Sequence, residues 1–346
     1  MENLEVLEYS LHKVDVKSAG PVPMALDGTA EGLKTYTELV LKDLLESPRS
    51  RFFKFKDMDE LVASSLVTLS KGADWQAKSN QIARKLYDVE ITVQDKIKQM
   101  TNVKAGGLLQ LKVKHDGCLK FVLIKIDNSD YLDEVNLSLK SGLPTSKDRL
   151  QKAAVITFNS ESTVDEVIVS DSKATITEYW YLSFLVAEQL QDSETNTKNA
   201  FAAIDNLLSK EVKNVSPVDY WFLRNDIINH FRNESSLAYD DLVNKVKSHK
   251  PETEEFKAKF GSFVEKFEAL PTTSPRPFDT QFDLEPSVIR ARIVRKVMLD
   301  SNFELRINGE VKDLKSRISA SKDEKGKFIK IYTDKGYEEF KTSEEK

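Results

Sequence analysis

Cationic side chains recur near the end of the chain at a spacing that could bind phosphate groups. The stretch SVIRARIVRKVM predicts a helix over residues 287–298. At about 100° per residue, Arg292, Arg295 and Lys296 lie within about 100° of one another, opposite an apolar stripe. Such a face attracts phosphates by Coulomb interaction and counterion release, without reading base sequence. A solvated helix face is the alternative interpretation.

Further cations follow this helix and complete the C-terminal set of candidate phosphate contacts. They are Arg306, Lys312, Lys315 and Arg317.

A second basic cluster lies early in the chain, in the stretch RSRFFKFK. Its cations, which we also assign as candidate contacts, are Arg49, Arg51, Lys54 and Lys56. The phenylalanines between them could stack on exposed bases. They could equally be buried in a core, and we favour burial for Phe52, Phe53 and Phe55.

The charge is distributed unevenly. The chain carries 51 Lys and Arg against 56 Asp and Glu, net −5, which argues against a uniformly basic nucleic-acid binder. Residues 286–335 nevertheless contain 13 basic and 7 acidic residues, net +6, which leaves −11 on the rest. Such asymmetry can indicate a segment that binds a polyanion, or it can be chance variation of the surface.

The residues that usually perform catalysis or hold metals are sparse. His12, His115, His230 and His249 are far apart and lack partners at metal-ligand spacing, so we interpret them as structural or solvated. Cys118 has no neighbour that would activate it. The three acids Asp127, Asp130 and Asp133 lack the glycine and final glutamate of a calcium loop, which favours a solvated loop. We therefore predict no catalytic residue, no metal and no cofactor.

Two other function classes remain open. Glu310 and Lys312 form a Glu-x-Lys triplet after a predicted strand, as a metal-dependent nuclease would need, but such triplets are common by chance. An aromatic-rich helix predicted over 176–191 could be a protein interface if Trp180 and Tyr181 are exposed. If these rings are buried, they belong to the core.

The elements that would position these residues begin with a hairpin. Two strand-like runs flank Asp116-Gly117, the preferred pair for a type I′ turn, so His115 should pair with Cys118. The second strand is apolar on both faces and should be central in its sheet. Two further strands, over 153–158 and 163–169, should extend the sheet.

The second half of the chain has helical periodicity. Ser216-Pro217 predicts the start of one helix, and Phe256, Phe260, Phe263 and Phe267 form the apolar stripe of another. A strand over 303–307 and a hairpin around Gly326 should close the chain. The fold class is α+β, with a mixed helix and antiparallel-sheet domain over 1–172 and a mainly helical domain over 173–346.

Composition also bears on the compartment. The single cysteine excludes an intramolecular disulfide framework, no apolar run approaches the roughly 18 residues of a membrane span, and the first residues resemble no secretory signal. We therefore expect a cytoplasmic protein without a membrane partner.

Several stretches resemble one family of proteins. They are LVLKDLLESP (39–48), AGGLLQL (105–111), TSKDRLQKAAVITFN (145–159), EYWYLSFLVAEQLQDSETNTKNAFAAIDNLL (178–208) and FELRINGEVKDLKSRI (303–318). In order and spacing they resemble the bacterial NdpA-type nucleoid-associated proteins.

The resemblance implies a non-enzymatic protein that associates with double-stranded DNA in the cytoplasmic nucleoid. It transfers no contact residues. It also leaves open a role in mobile elements or phage defence through a protein partner, and a homodimer.

Overall fold

A computed structural model describes residues 4–24, 31–45, 49–98, 101–132, 134, 136–144, 152–173 and 175–340. The chain divides into two compact units. Unit 1 comprises Met1–Asp192, Ser236–Asp240 and Asp279–Asp283, and unit 2 comprises Ser193–Ser235, Asp241–Phe278 and Leu284–Lys346. The α+β class is confirmed.

The first ten strands of the chain are β1 (Leu4–Val14), β2 (Val22–Pro23), β3 (Arg51–Phe55), β4 (Gly106–His115), β5 (Cys118–Asp127), β6 (Ser129–Leu132), β7 (Leu139–Gly142), β8 (Lys152–Phe158), β9 (Val164–Asp171) and β10 (Ala187–Gln189). Eight of them form the antiparallel sheet on which unit 1 is built, in the order β10-β3-β9-β8-β5-β4-β1-β2. The helices are α1 (Glu31–Leu45), α2 (Leu61–Ser70) and α3 (Trp75–Ile97). The pairs β6–β7 and β11 (Ser236–Ala238) with β12 (Gln281–Asp283) form two small sheets.

The large sheet has a buried core on each face. Because side chains alternate along a strand, Leu108 of β4 joins the cluster formed with α2 and α3, whereas Leu109 joins the cluster formed with α1. This explains why β5 is apolar on both faces, as its central place between β4 and β8 requires.

The predicted hairpin between β4 and β5 is confirmed. His115 pairs with Cys118 and Lys112 with Phe121. Asp116 and Gly117 have φ angles of 51° and 80°, as a type I′ turn requires at both central positions.

The helix expected over 176–191 is wrong in its second half. A π-helical turn covers Tyr179–Leu185, Val186 then adopts a left-handed conformation with φ of 53°, and β10 begins at Ala187. The reason is tertiary pairing, because β10 forms an antiparallel ladder with β3 that a continued helix would forfeit.

Unit 2 is mainly helical and ends in two hairpins. Its described elements are α4 (Ser193–Glu211), α5 (Pro217–Asn233), α6 (Tyr239–Lys247, whose first two residues group with unit 1), α7 (Glu254–Thr273), a 3₁₀ turn (Pro286–Ile289), α8 (Arg290–Ile293), β13 (Arg295–Asp300), β14 (Phe303–Ile307), α9 (Leu314–Arg317), β15 (Ile318–Asp323), β16 (Gly326–Ile331) and α10 (Asp334–Phe340).

Local signals explain two of these helices. The Ser216 hydroxyl accepts a hydrogen bond from the Asp219 amide and caps α5, with Pro217 at the first helical position. In α7, Phe256, Phe263 and Phe267 are buried as the phenylalanine stripe predicts, and Phe260 is half-buried.

The helix expected over 287–298 is also wrong beyond Ile293. Residues from Arg295 onward pair with β14, and Val297 lies opposite Leu305. The strand forms its backbone hydrogen bonds with β14, and Val297 and the facing Leu305 are both half-buried, a setting that suits β-branched and apolar side chains. The cations on this stretch therefore do not share one helical face.

Candidate functional site

The β13–β14 hairpin separates its cations by strand alternation. Lys296 lies directly opposite Arg306, so the two side chains project from the same face, and both are exposed. Lys296 Nζ lies 3.3 Å from Glu304 Oε1. Arg295 and Val297 project from the opposite face. One face of the hairpin therefore presents an exposed cationic pair.

Arg295 is half-buried against α5 of unit 2. Its guanidinium carbon lies 3.9 Å from the centroid of the Trp221 ring and 4.5 Å from that of Tyr220. Burial lowers the pKa of Arg295, which indicates how strongly this cation is desolvated. The side chain therefore anchors the hairpin on α5 instead of facing solvent.

A hydrogen bond fixes the backbone of Arg292, whereas the Arg292 side chain is exposed to solvent. The Arg292 carbonyl accepts a hydrogen bond of 2.6 Å from Arg224 Nη2, and Arg224 Nε donates to Asp205 Oδ1 at 2.7 Å. The Arg292 guanidinium forms no ion pair with the described residues. It is available to an anion.

The cations around α9 fall into two groups. Lys315 pairs with Glu252 and lies 4.5 Å from the Phe222 ring centroid. Lys312 and Arg317 are exposed and form no ion pair within the described part of the chain. The loop that carries Lys312 is fixed by two hydrogen bonds. Asn225 Nδ2 donates to the Val311 carbonyl, and the Val311 amide donates to Asn225 Oδ1.

Most cations of the early basic cluster, residues 49–56, form ion pairs within unit 1. Arg49 Nε lies 3.0 Å from Asp240 Oδ1, and Lys54 pairs with Glu188. Arg51 is 2% exposed and faces Asp279. Only Lys56 presents an exposed ammonium without an ion pair among the described residues.

The phenylalanines of this cluster follow the alternation of β3. Phe53 and Phe55 are buried, as expected, whereas Phe52 is exposed. The two buried rings cannot stack on bases.

One group of exposed cations is absent from the contacts expected on the basis of the sequence. They lie on the β15–β16 hairpin and are Lys322, Lys325, Lys327 and Lys330. The signal that could have identified them was the net charge of residues 286–335, to which they contribute.

The acidic and histidine side chains that were considered for catalysis or metal binding form structural contacts. Glu310 forms an ion pair with Arg232. His249 Nε2 lies 2.7 Å from Asp219 Oδ1, and His12 Nε2 lies 2.6 Å from Asn80 Oδ1. Among the residues described, no group of three or more His, Cys, Asp or Glu side chains could hold a metal ion.

The expectation of a solvated loop at Asp127 is wrong. Asp127 ends β5 and lies 3.3 Å from the buried Lys125 ammonium, because β5 continues to that residue. Asp130 is exposed on β6, and Asp133 lies outside the described residues.

The aromatic segment, for which an interface and a core position were both open, is mostly core. Trp180 is fully buried, its Nε1 donates to the Ala153 carbonyl, and its ring lies 4.7 Å from Phe184. Tyr181 is half-buried and packs against Phe53 at 5.1 Å. This segment gives no support to a protein interface.

The structure defines an α+β protein with exposed cations in the C-terminal part of unit 2. A family model described as nucleoid-associated protein YejK matches residues 10–335, and the chain belongs to this family. The resemblance drawn from the sequence is thereby confirmed. No curated protein matches the chain. Within the described residues, none of the helices combines the length and apolar character needed to cross a membrane.

Proposed function

We propose that the protein is a non-enzymatic nucleoid-associated protein that binds double-stranded DNA in the cytoplasm through phosphate contacts. The family description, nucleoid-associated protein YejK, supports the nucleoid over a role in mobile elements or phage defence. The observation that carries the proposal is that Arg292, Arg306 and Lys312 are exposed in unit 2 with no ion pair among the described residues.

The remaining exposed cations strengthen this surface. Lys296 and Lys315 are held in ion pairs with Glu304 and Glu252 at partly exposed positions. Such pairs contribute about 0–1 kcal/mol, so a phosphate can replace the carboxylate at little expense. Arg51 and Arg295 are left out of the proposal because their guanidinium groups are engaged inside the fold.

Phosphate contacts make DNA binding insensitive to sequence and sensitive to salt. Each cation that neutralises a phosphate releases condensed counterions, and the logarithm of affinity falls with the logarithm of salt concentration by about 0.9 per contact. The acidic remainder of the chain, net −11, repels DNA and confines the contact to the basic segment.

The test is DNA affinity measured by fluorescence anisotropy between about 50 and about 200 mM salt, on two duplexes of unrelated sequence. We expect the Arg292→Ala/Arg306→Ala/Lys312→Ala variant to weaken binding to both duplexes alike. Its salt slope should fall by about 3, one for each contact.

The matched control removes the same charge elsewhere on unit 2. Lys198, Lys213 and Lys250 are exposed there, and their triple alanine variant should keep the wild-type salt slope. A flat salt response of the wild type, or equal losses in both variants, would refute phosphate-led binding by this surface. Magnesium-dependent cleavage that disappears in Glu310→Ala would instead establish the nuclease alternative.

A further inference from the structure

Unit 2 contains an apolar cleft with a volume of about 270 Å³. Its walls come from α5, the β13–β14 hairpin, α9 and the β15–β16 hairpin. Twelve of the thirteen described residues that line it are apolar, and Ser319 is the exception. Arg292, Arg306 and Lys312 do not line the cleft, so it is separate from the three cations that carry the proposed DNA contact.

The cleft is a recess with enclosed walls. Trp221, Val297 and Leu305 are half-buried, and Leu314 is 7% exposed. Strand alternation explains the apolar wall that the hairpin provides. Val297 lies directly opposite Leu305, and both project from the face on which Arg295 contacts the Trp221 ring. The apolar face of the hairpin is therefore turned toward α5.

The volume and the lining of the cleft indicate the size of molecule that fits. Protein interiors contain few voids larger than a water molecule, so a space of this size between apolar side chains is unusual. Small-molecule sites are concave, mostly apolar and about 300–1,000 Å³ in volume, and this cleft lies near the lower limit. A water molecule takes about 30 Å³ and a methylene group has a similar size, so an alkyl chain of roughly eight to ten carbons fills the cleft.

A cation lies at the edge of the cleft. Phe222 of α5 lines the cleft, and Lys315 Nζ lies 4.5 Å from the centroid of the Phe222 ring. Lys315 pairs with Glu252, and both side chains are exposed. Such a pair contributes about 0–1 kcal/mol, so another anion can replace the carboxylate. Residues 312–317 carry three cations against Asp313, net +2, which favours a ligand with an anionic head.

We propose that this cleft binds an anionic amphiphile, with its alkyl chain against Trp221 and Val297 and its carboxylate or phosphate head on Lys315. Burial of the chain supplies most of the affinity, because removing apolar surface from water is favourable. The Lys315 ammonium selects the head, because it exchanges its contact with Glu252 for a charge-assisted hydrogen bond to the ligand. The proposal does not rest on DNA binding.

The first test is titration calorimetry of the full chain with decanoate and with decyl phosphate, each below its micelle concentration. We expect one molecule of probe to bind per chain and the emission of Trp221 to move to shorter wavelength. Octanoate, which is two methylenes shorter, should bind about tenfold more weakly, because each buried methylene contributes to the affinity. Decanol, which has the same chain without the charge, should also bind about tenfold more weakly.

One variant tests where the alkyl chain lies. Ala320 lines the cleft from β15 and is exposed, so Ala320→Trp fills the cleft without altering a buried side chain. We expect it to weaken decanoate binding at least about tenfold. The matched control is Ser321→Trp, whose side chain projects from the opposite face of β15 and should leave the affinity unchanged.

A second variant tests the head. Lys315→Gln should reduce the affinity for decanoate to that for decanol and should leave the affinity for decanol unchanged. The matched control is Lys257→Gln, which removes an exposed lysine that pairs with Glu254 in α7. It should keep both affinities at the wild-type values.

Three results would overturn the proposal. The first is no binding of either anionic probe up to about 1 mM. The second is decanol binding as tightly as decanoate, and the third is an equal loss in Ala320→Trp and Ser321→Trp. Circular dichroism establishes that the variants are folded, and Lys315→Gln decides the question if Ala320→Trp is not. DNA affinity of the wild type without probe shows separately whether the proposed function stands.

Discussion

Lys125 Nζ lies 3.5 Å from Glu90 Oε1 in the interior of unit 1, and both side chains are 1% exposed. Lys125 belongs to the central strand β5 and Glu90 to α3, so the pair joins the sheet to the helix that covers it. The ammonium also lies 3.3 Å from Asp127 Oδ1, and the Tyr179 hydroxyl donates to Glu90 at 3.5 Å. These contacts compensate charges that would be expensive to bury singly.

Removing the cation of this pair should destabilise unit 1 strongly. Lys125→Met leaves Glu90 and Asp127 without their buried partner, and we expect a loss of about 3–5 kcal/mol in the free energy of unfolding. Urea denaturation measures this loss. The double variant Lys125→Met/Glu90→Gln should recover part of it, because it removes the uncompensated carboxylate. Additive losses in the double variant would show that the two groups do not interact.

Glu90 should also make stability fall as pH rises. Burial raises the pKa of Glu90 from 4.5 to about 7, so between these values the folded chain holds a proton that the unfolded chain has released. The contribution of Glu90 is therefore most favourable below pH 4.5 and is lost as the pH rises to about 7. Comparing urea midpoints of the wild type and Glu90→Gln across this range isolates the effect. Parallel pH profiles would contradict it.

His230 should act in the opposite direction in unit 2. Burial, reinforced by the nearby Lys245 ammonium at 3.0 Å, lowers the pKa of His230 from 6.5 to about 4. Between these values the unfolded chain binds a proton that the folded chain excludes, so stability rises with pH. His230→Gln should flatten the pH dependence of unit 2 from about pH 4 to 6.5. An unchanged slope, followed by Trp221 fluorescence, would contradict this assignment.

Two glycines should respond to alanine with opposite signs. A Cβ on Gly106 would lie 2.0 Å from the Ile126 carbonyl oxygen and 2.8 Å from Lys125 Nζ, so Gly106→Ala must displace β5 or the buried pair. We expect a loss of about 1–3 kcal/mol, as for overpacking in a core. Gly261 lies in α7 with no atom within 4 Å of the added carbon, and Gly261→Ala should gain about 0.5–1 kcal/mol. Thermal unfolding of both variants tests the contrast.

The elements predicted correctly are those whose determinants are local. The β4–β5 register follows from Asp116-Gly117, because only residues that tolerate positive φ fit the turn. The start of α5 follows from Ser216 and Pro217, whose cap and fixed φ need no distant partner.

The candidate site was only partly predictable, since exposure of a cation depends on distant segments. Lys296 and Arg306 were identified from charge alone and are exposed on one face of the hairpin. Arg295 has the same sequence character, yet Tyr220 and Trp221 hold its guanidinium inside. The residue type of Trp180 was likewise compatible with an interface, but the structure buries its ring beside Phe184.

The sequence by itself determined the α+β class, the family, the central hairpin and the concentration of positive charge over residues 286–335. These follow from turn chemistry, periodicity and composition, which are properties of neighbouring residues. Only the tertiary structure decided that residues 295–300 form a strand instead of a helix, which cations face solvent, and that Lys125 meets Glu90. The strand depends on its pairing with the neighbouring β14, and the other two depend on contacts between segments far apart in the chain, so the sequence pattern of a single element does not predict them.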